Sequence, residues 1–240
     1  MRRSTRIGVL TPSSNTVLEP FTSRIVADLD NVSAHFSRFT VTEISMSEDS
    51  FQQFDDSNIL FAAELLAHAK VDVIAWSGTS ASWLGFDVDE KLCDRIHSAT
   101  GIKTTTSVLA LNELLKINNI QSLGLVSPYL TDVQEKIIDN YAGIGVDIVS
   151  ERHLGIQDNF SFGCVTEKQI MQLITEVSHA KPDAITTMCT NLRGTALAEA
   201  TEAKVSIPLY DSVSTVIWKS LKLAGYDTNT VKGWGKLFQS

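Results

Sequence analysis

The chain has 240 residues, a hydrophobic fraction of 43% and a formal net charge of −8 at pH 7. This composition predicts a folded protein with a substantial core, and the acidic balance without any Lys/Arg run argues against a nucleic-acid partner. The longest apolar runs have the length of strands, so we expect no membrane span and a cytoplasmic location.

Apolar runs of strand length alternate with segments of helical periodicity along the whole chain. The predicted strands cover 6–10, 38–44, 71–77, 101–104, 122–126, 146–149, 183–188 and 207–210. The predicted helices cover 17–29, 59–69, 86–99, 107–115, 131–141, 166–180, 192–203 and 212–224, with polar loops over 45–56 and 150–165. This alternation predicts an α/β fold of two similar lobes with parallel sheets.

One motif occurs twice, at a constant offset of 111 residues. The first copy is Ala69-Lys70-Val71-Asp72-Val73-Ile74-Ala75-Trp76-Ser77-Gly78-Thr79-Ser80, and the second is Ala180-Lys181-Pro182-Asp183-Ala184-Ile185-Thr186-Thr187-Met188-Cys189-Thr190-Asn191. Both copies predict a buried strand that ends in a polar turn. The large chemical difference is that Gly78 stands where the second copy has Cys189.

Four such turns are predicted to surround one cleft, because parallel sheets bind ligands at the carboxyl ends of their strands. They are Ser13-Ser14-Asn15, Gly78-Thr79-Ser80, Ser127-Pro128-Tyr129 and Cys189-Thr190-Asn191. Their side chains offer hydroxyls, amides and one thiol, and Arg193 is the nearest charged residue in sequence.

Cys189 is the candidate catalytic residue. At the start of a predicted helix its thiol would feel the positive end of the helix dipole, which lowers a thiol pKa and suits a nucleophile or an acid/base. The alternative is a small core side chain, which is the commonest role of a free cysteine. Cys93 fits that structural role in a predicted helix, and Cys164 in a loop has no assigned role.

The hydroxyls of Thr79 and Ser80, with the amides of their turn, are candidates for binding a carboxylate or oxyanion, and Tyr129 is a further donor. Asn15 offers a neutral donor and acceptor. Helix capping by the short polar residues and simple packing by the tyrosine are the alternatives. Three aromatic residues, Trp76, Trp83 and Phe86, are candidates for a pocket wall, with interior packing as the alternative. Interior packing is the favoured interpretation for Trp76, because its place in a predicted strand is typical of the core.

Two motifs carry a resemblance that covers the whole chain. Pro12-Ser13-Ser14-Asn15-Thr16 and Cys189-Thr190-Asn191-Leu192-Arg193 resemble the maleate cis–trans isomerase branch of the aspartate/glutamate racemase superfamily. Gly78-Thr79-Ser80-x-Ser82 resembles the corresponding turn of arylmalonate decarboxylase.

The resemblance implies two pseudo-symmetric flavodoxin-like lobes with the active site in the cleft between them. Residues 1–115 with the returning segment 212–240 would form the first lobe, and residues 116–211 the second. It also implies chemistry next to a carboxylate without a cofactor or metal. Members with two cysteines use one from each lobe, whereas arylmalonate decarboxylase keeps only the second-lobe cysteine and an oxyanion pocket that includes the Thr-Ser turn and a tyrosine.

Gly78 therefore limits the chemistry, because glycine supplies no acid, base or nucleophile. We expect a cofactor-independent decarboxylase of a small malonate-type dicarboxylic acid, with Cys189 protonating an enediolate held by Thr79, Ser80 and Tyr129. Four residues would bind the second carboxylate: Ser14, Asn15, Thr190 and Asn191. The alternatives are a maleate-type cis–trans isomerase or related isomerase using Cys189 alone, and a ligand-binding protein without turnover. A Gly78→Cys substitution is expected to add acid/base chemistry on the second face, and a homo-oligomer is left open.

Overall fold

The computed structural model describes residues 4–44 and 56–240. Its strands form two parallel sheets of four strands each, which confirms the predicted α/β class. The predicted loop over 45–56 lies outside the described residues except for its last position, where a helix begins.

The first sheet has the strand order β2-β1-β3-β4. Its strands are β1 (Thr5–Pro12), β2 (Val32–Phe39), β3 (Val73–Trp76) and β4 (Lys103–Thr106). The helices along this part of the chain are α1 (Leu18–Ala27), α2 (Asp56–His68), α3 (Ala81–Leu84), α4 (Phe86–Thr100) and α5 (Ser107–Ile117).

The second sheet repeats this order as β6-β5-β7-β8. Its strands are β5 (Ser122–Ser127), β6 (Asp147–His153), β7 (Ala184–Thr187) and β8 (Leu209–Asp211). The helices are α6 (Thr131–Gly143), α7 (Asn159–Phe162), α8 (Glu167–Ser178), α9 (Ala198–Val205) and α10 (Ser212–Leu223). Short 3-10 helices cover Thr195–Leu197, Thr228–Thr230 and Lys236–Gln239.

The repeated motif has the same local structure in both lobes. Lys70 and Lys181 both adopt a left-handed backbone with φ of 53°, which turns the chain from the preceding helix into β3 or β7. The carboxylate of Asp72 accepts a hydrogen bond of 2.8 Å from the backbone N–H of Arg6, at the start of β1. Asp183 accepts one of 2.9 Å from Ser122 at the start of β5. The motif therefore positions two equivalent central strands.

The last long helix, α10, packs against α5 and against strands β3 and β4 of the first sheet. Its buried face includes Val213, Val216, Ile217 and Leu221. This packing supports the proposed division into a first lobe of residues 1–115 with 212–240 and a second lobe of 116–211.

Three predicted boundaries are wrong. The second strand is Val32–Phe39 and not 38–44. The alternation of apolar and polar residues over 32–37 was the available signal, and its apolar members Val32, Ala34 and Phe36 pack against the core. The predicted loop over 150–165 contains the end of β6 and the short helix α7. No α-helix begins at Leu192; the chain passes through turns and a 3-10 helix before α9 begins at Ala198.

Strands β1, β3, β5 and β7 are central, and residues such as Ile7, Ile74, Leu125 and Ile185 are fully buried in them. Over the described ranges, no helix has the length and apolar character needed to cross a membrane.

Candidate active site

A cavity of about 20 Å³ lies where the carboxyl ends of the central strands of both lobes meet. The first lobe lines it with Pro12, Trp76, Gly78, Thr79, Ser80 and Trp83. The second lobe lines it with Tyr129, Asn159, Cys189 and Thr190, and Val41 and Ile44 complete the wall. None of these side chains carries a charge, so hydroxyls, amides and backbone dipoles must provide any recognition of an anion.

Cys189 follows β7 by two residues and is 3% exposed. The backbone N–H of Asn191 donates a hydrogen bond of 3.3 Å to its Sγ. Burial nevertheless raises the pKa of the Cys189 thiol to about 12, although the Asn191 amide and the Tyr129 hydroxyl both act to lower it. The side chain is therefore a neutral thiol at neutral pH, which can donate a proton.

The expectation of a thiolate stabilised by a helix dipole is wrong. The segment after Cys189 forms turns, and α9 begins only at Ala198, so Cys189 does not lie at the start of a helix. Helix dipoles act over the first turn alone. Desolvation dominates instead, because removing a thiolate from water disfavours the charged form.

Thr79 and Tyr129 join the two lobes beside the thiol. Their hydroxyl oxygens lie 2.6 Å apart, and the Tyr129 ring packs edge-on against Trp83 and Phe162 with centroids 5.1 and 5.6 Å away. Burial raises the pKa of Tyr129 well above its ordinary value, and the neighbouring Cys189 adds to the rise. Both hydroxyls are therefore neutral, and one donates to the other, which leaves one O–H of the pair for a ligand.

Ser80 completes this group of hydroxyls. It is 4% exposed, lines the cavity, and directly precedes α3. Its side chain caps no backbone amide of that helix, so the capping alternative does not account for it.

Three other predicted binding residues lie behind the cavity wall, bonded to protein groups. The amide oxygen of Asn15 accepts hydrogen bonds of 2.9 and 3.0 Å from Val17 and Leu18, at the start of α1. Ser14 donates 2.6 Å to the carbonyl of Val41. The carboxamide oxygen of Asn191 accepts 3.0 Å from the backbone N–H of Thr16 in the opposite lobe. The last of these contacts joins the first-lobe turn to the second-lobe turn.

Thr190 lies at the junction between that network and the cavity. Asn15 donates 3.2 Å to its hydroxyl, which donates 3.2 Å to the carbonyl of Ser77. Because Ser77 immediately precedes Gly78, the second-lobe turn fixes the position of the first-lobe turn.

Asn159 is a cavity residue that the sequence did not predict. It begins α7 inside the segment interpreted as a loop. Its side-chain amide donates 2.7 Å to Ser14, and its carbonyl accepts a hydrogen bond from Asn191. The nearby Asp158-to-Ser161 cap was the available sequence signal for this short helix.

Gly78 lies under the indole of Trp76. A Cβ atom placed on Gly78 would lie 2.0 Å from Cζ2 of that ring. Trp83 lines the cavity, as anticipated for a wall residue, and so does Trp76, for which interior packing was favoured. Phe86 packs against Tyr141 with ring centroids 5.3 Å apart.

The remaining cysteines lie away from the cavity: Cys93 is half-buried in α4, and Cys164 is exposed. Across residues 4–44 and 56–240, no group of three histidine, cysteine or carboxylate side chains is placed to hold a metal ion.

Two pseudo-symmetric parallel-sheet lobes with a buried thiol in the cleft define a protein of the aspartate/glutamate racemase superfamily, as the sequence motifs predicted. A family model described as arylmalonate decarboxylase matches residues 7–238, and the chain belongs to that family.

Relatives with two different activities span nearly the whole chain. Maleate isomerase of Geobacillus stearothermophilus is 21% identical over 235 residues, covering 92% of each chain. Arylmalonate decarboxylase of Bordetella bronchiseptica is 23% identical over 235 residues, covering 97% of this chain and 95% of the relative. A mutant of Nocardia farcinica maleate cis–trans isomerase with a covalently bound succinylcysteine intermediate has a TM-score of 0.90 at 21% identity, covering 99% of this chain and 100% of that one. The predicted fold and the predicted enzyme superfamily are confirmed.

Proposed function

We propose that this protein is a cofactor-independent decarboxylase of a small malonate-type dicarboxylic acid, in which Cys189 is the proton donor. The observation that carries the proposal is one buried neutral thiol facing a first-lobe position that is glycine. Two-base racemisation needs an acid/base on each side of the reacting carbon. Decarboxylation followed by protonation needs only one.

The hydroxyls of Thr79, Ser80 and Tyr129 would hold the carboxylate that remains. When the bond to the other carboxylate breaks, carbon dioxide leaves and its electron pair forms an enediolate. Neutral donors in a desolvated site stabilise the developing oxyanion strongly, and one such donor is typically worth about 3 kcal/mol. This replaces the electron sink that a cofactor would otherwise supply.

Cys189 would then transfer its thiol proton to the enediolate carbon. The sulfur is left as a thiolate that the N–H of Asn191 contacts. Because burial holds the thiol pKa at about 12, the thiolate recovers a proton from solvent and the neutral donor is restored. The net reaction consumes one proton and releases one carbon dioxide.

The second carboxylate needs a binding position before it leaves. Thr190 and Asn159 are polar side chains that, with Tyr129, line the second-lobe wall beside Cys189. Ser14, Asn15 and Asn191 support these two from behind through the hydrogen bonds described above. We propose this supporting role for them in place of direct contact with the substrate.

The experiment compares Cys189→Ala with wild type in assays of carbon dioxide release from malonate, methylmalonate and phenylmalonate. A general acid typically contributes a factor of about 10²–10⁴, so turnover should fall by at least that lower value. Cys164→Ala is the matched control, because it makes the same change at an exposed cysteine outside the cavity. Undiminished turnover by a folded Cys189→Ala variant would exclude the mechanism.

Maleate cis–trans isomerisation is the second candidate, favoured by the Cys189-Thr190-Asn191 motif and by the isomerases among the relatives. Addition of sulfur to a double bond requires a thiolate, which burial disfavours here. Incubation with maleate, followed by NMR detection of fumarate, distinguishes the two functions. We expect carbon dioxide from a malonate and no fumarate from maleate.

A further inference from the structure

We propose that Trp76 is a specificity-determining residue that closes the first-lobe face of the cavity and restricts proton delivery to Cys189. The inference deepens the proposed decarboxylase function and rests on it for its catalytic consequence. Its steric basis is independent of any substrate.

The indole of Trp76 lies in the space that a side chain on Gly78 would need. Residues two apart in an extended chain project from the same face, and Trp76 ends β3 two residues before Gly78. A Cβ on Gly78 would lie 2.0, 2.2 and 2.6 Å from Cζ2, Cε2 and Cη2 of the indole. Optimal carbon–carbon contacts are about 3.5–4.0 Å. The ring therefore occupies the volume of any side chain at this position.

Packing against the core fixes the position of the Trp76 indole. Trp76 is 2% exposed, and the ring of Phe39 packs against it with centroids 5.0 Å apart at an interplanar angle of 49°. A side chain added at Gly78 must displace a large packed ring from a close-packed interior, which costs stability.

The second lobe provides the internal comparison. Strands β3 and β7 have matching bounds at the offset of 111 residues, so Thr187 corresponds to Trp76 and Cys189 to Gly78. The hydroxyl of Thr187 donates 2.7 Å to the buried carboxylate of Asp211. A small side chain bonded in this way leaves space for Cys189. The two lobes thus carry different pairs, Thr187 with Cys189 and Trp76 with Gly78.

The consequence concerns Gly78→Cys. The sequence predicts that this change alone supplies an acid/base on the second face of the substrate. In the structure, the Trp76 indole occupies the space that the new cysteine side chain would need. Trp76→Thr with Gly78→Cys reproduces the pair of the second lobe and should accommodate the new thiol.

The experiment has a stability arm that needs no substrate. Gly78→Ala should lower the thermal midpoint by about 5 °C or more in the wild-type background, as overpacking does, and by much less in a Trp76→Thr background. Gly143→Ala is the matched control, since a Cβ there meets nothing within 4 Å. Trp76→Leu replaces Trp76→Thr if the smaller residue prevents folding. Equal losses in both backgrounds would overturn the steric pairing.

The catalytic arm uses 2-ethyl-2-methylmalonate, whose decarboxylation product, 2-methylbutanoate, is chiral. Wild type and Gly78→Cys should each give one enantiomer, while the Trp76→Thr/Gly78→Cys variant should give both. Equal amounts of both enantiomers from Gly78→Cys alone would overturn the role of Trp76. Absence of turnover by wild type on any malonate would instead refute the proposed function, and the stability arm would still decide whether Trp76 excludes side chains at Gly78.

Discussion

The hydroxyl oxygens of Thr79 and Tyr129 lie 2.6 Å apart across the boundary between the two lobes. One residue follows a strand of the first sheet, and the other follows a strand of the second. One of these hydroxyls donates to the other, so the pair fixes one remaining O–H donor beside the Cys189 thiol, which in the proposed mechanism is available to the enediolate.

Tyr129→Phe removes one of these hydroxyls and keeps the ring. We expect kcat for malonate decarboxylation to fall by about 10²-fold, the usual effect of losing one oxyanion donor. Tyr226→Phe, outside the cavity, is the matched control. If Tyr129→Phe retains full kcat while folded, the tyrosine serves packing alone.

Thiol modification should distinguish the exposed cysteine, Cys164, from the buried one, Cys189. Iodoacetamide at pH 8 should label exposed Cys164 much faster than Cys189, because the latter is buried and its pKa is raised to about 12 by burial. Peptide mass spectrometry over a time course measures both rates. Preferential labelling of Cys189 would mean an accessible thiolate, which supports the nucleophilic isomerase mechanism instead of the proton donor.

Trp76→Leu should widen the range of accepted substituents. The cavity measures about 20 Å³, whereas an apolar cavity that binds benzene measures about 150 Å³. We expect the ratio of kcat/KM for phenylmalonate to that for methylmalonate to rise at least tenfold. Trp234→Leu, where the tryptophan packs on Phe21 instead, should leave the ratio unchanged. A constant ratio in Trp76→Leu would assign size selection to another wall.

Asp89 should make stability depend on pH. It is 1% exposed in α4, and burial raises its pKa to about 7, although the Thr106 hydroxyl acts in the opposite direction. The unfolded chain loses this proton near pH 3.8. Its contribution to stability is therefore fully present below that pH and is lost as pH rises through about 7.

Urea unfolding at pH 5 and pH 8 tests this. The wild type should lose on the order of 2 kcal/mol over the interval, and Asp89→Asn should remove most of that loss. Asp94→Asn, an exposed carboxylate on the same helix, should behave like wild type. An equal pH dependence in Asp89→Asn would assign the effect to other groups.

Several features of the candidate site were predictable because they are local. The repeated motif places Gly78 and Cys189 at equivalent strand exits, and the polar residues Thr79, Ser80 and Thr190 reach the cavity as expected. Asn159 could not be predicted in the same way, because it reaches the cavity through hydrogen bonds to residues more than thirty positions away. The sequence predicts Ser14 and Asn15 as ligand-binding groups, but both are bonded to the protein. Ser14 donates to the carbonyl of Val41, and Asn15 donates to Thr190 and accepts from the backbone of Val17.

The sequence by itself determined the two-lobed α/β architecture, the family and the single thiol opposite a glycine, because hydrophobic periodicity and an internal repeat are written in neighbouring residues. Only the tertiary structure decided the protonation state of Cys189 and the position of the Trp76 ring. Both depend on what surrounds a side chain: desolvation raises the thiol pKa, and packing places the indole over Gly78. No local pattern records either effect.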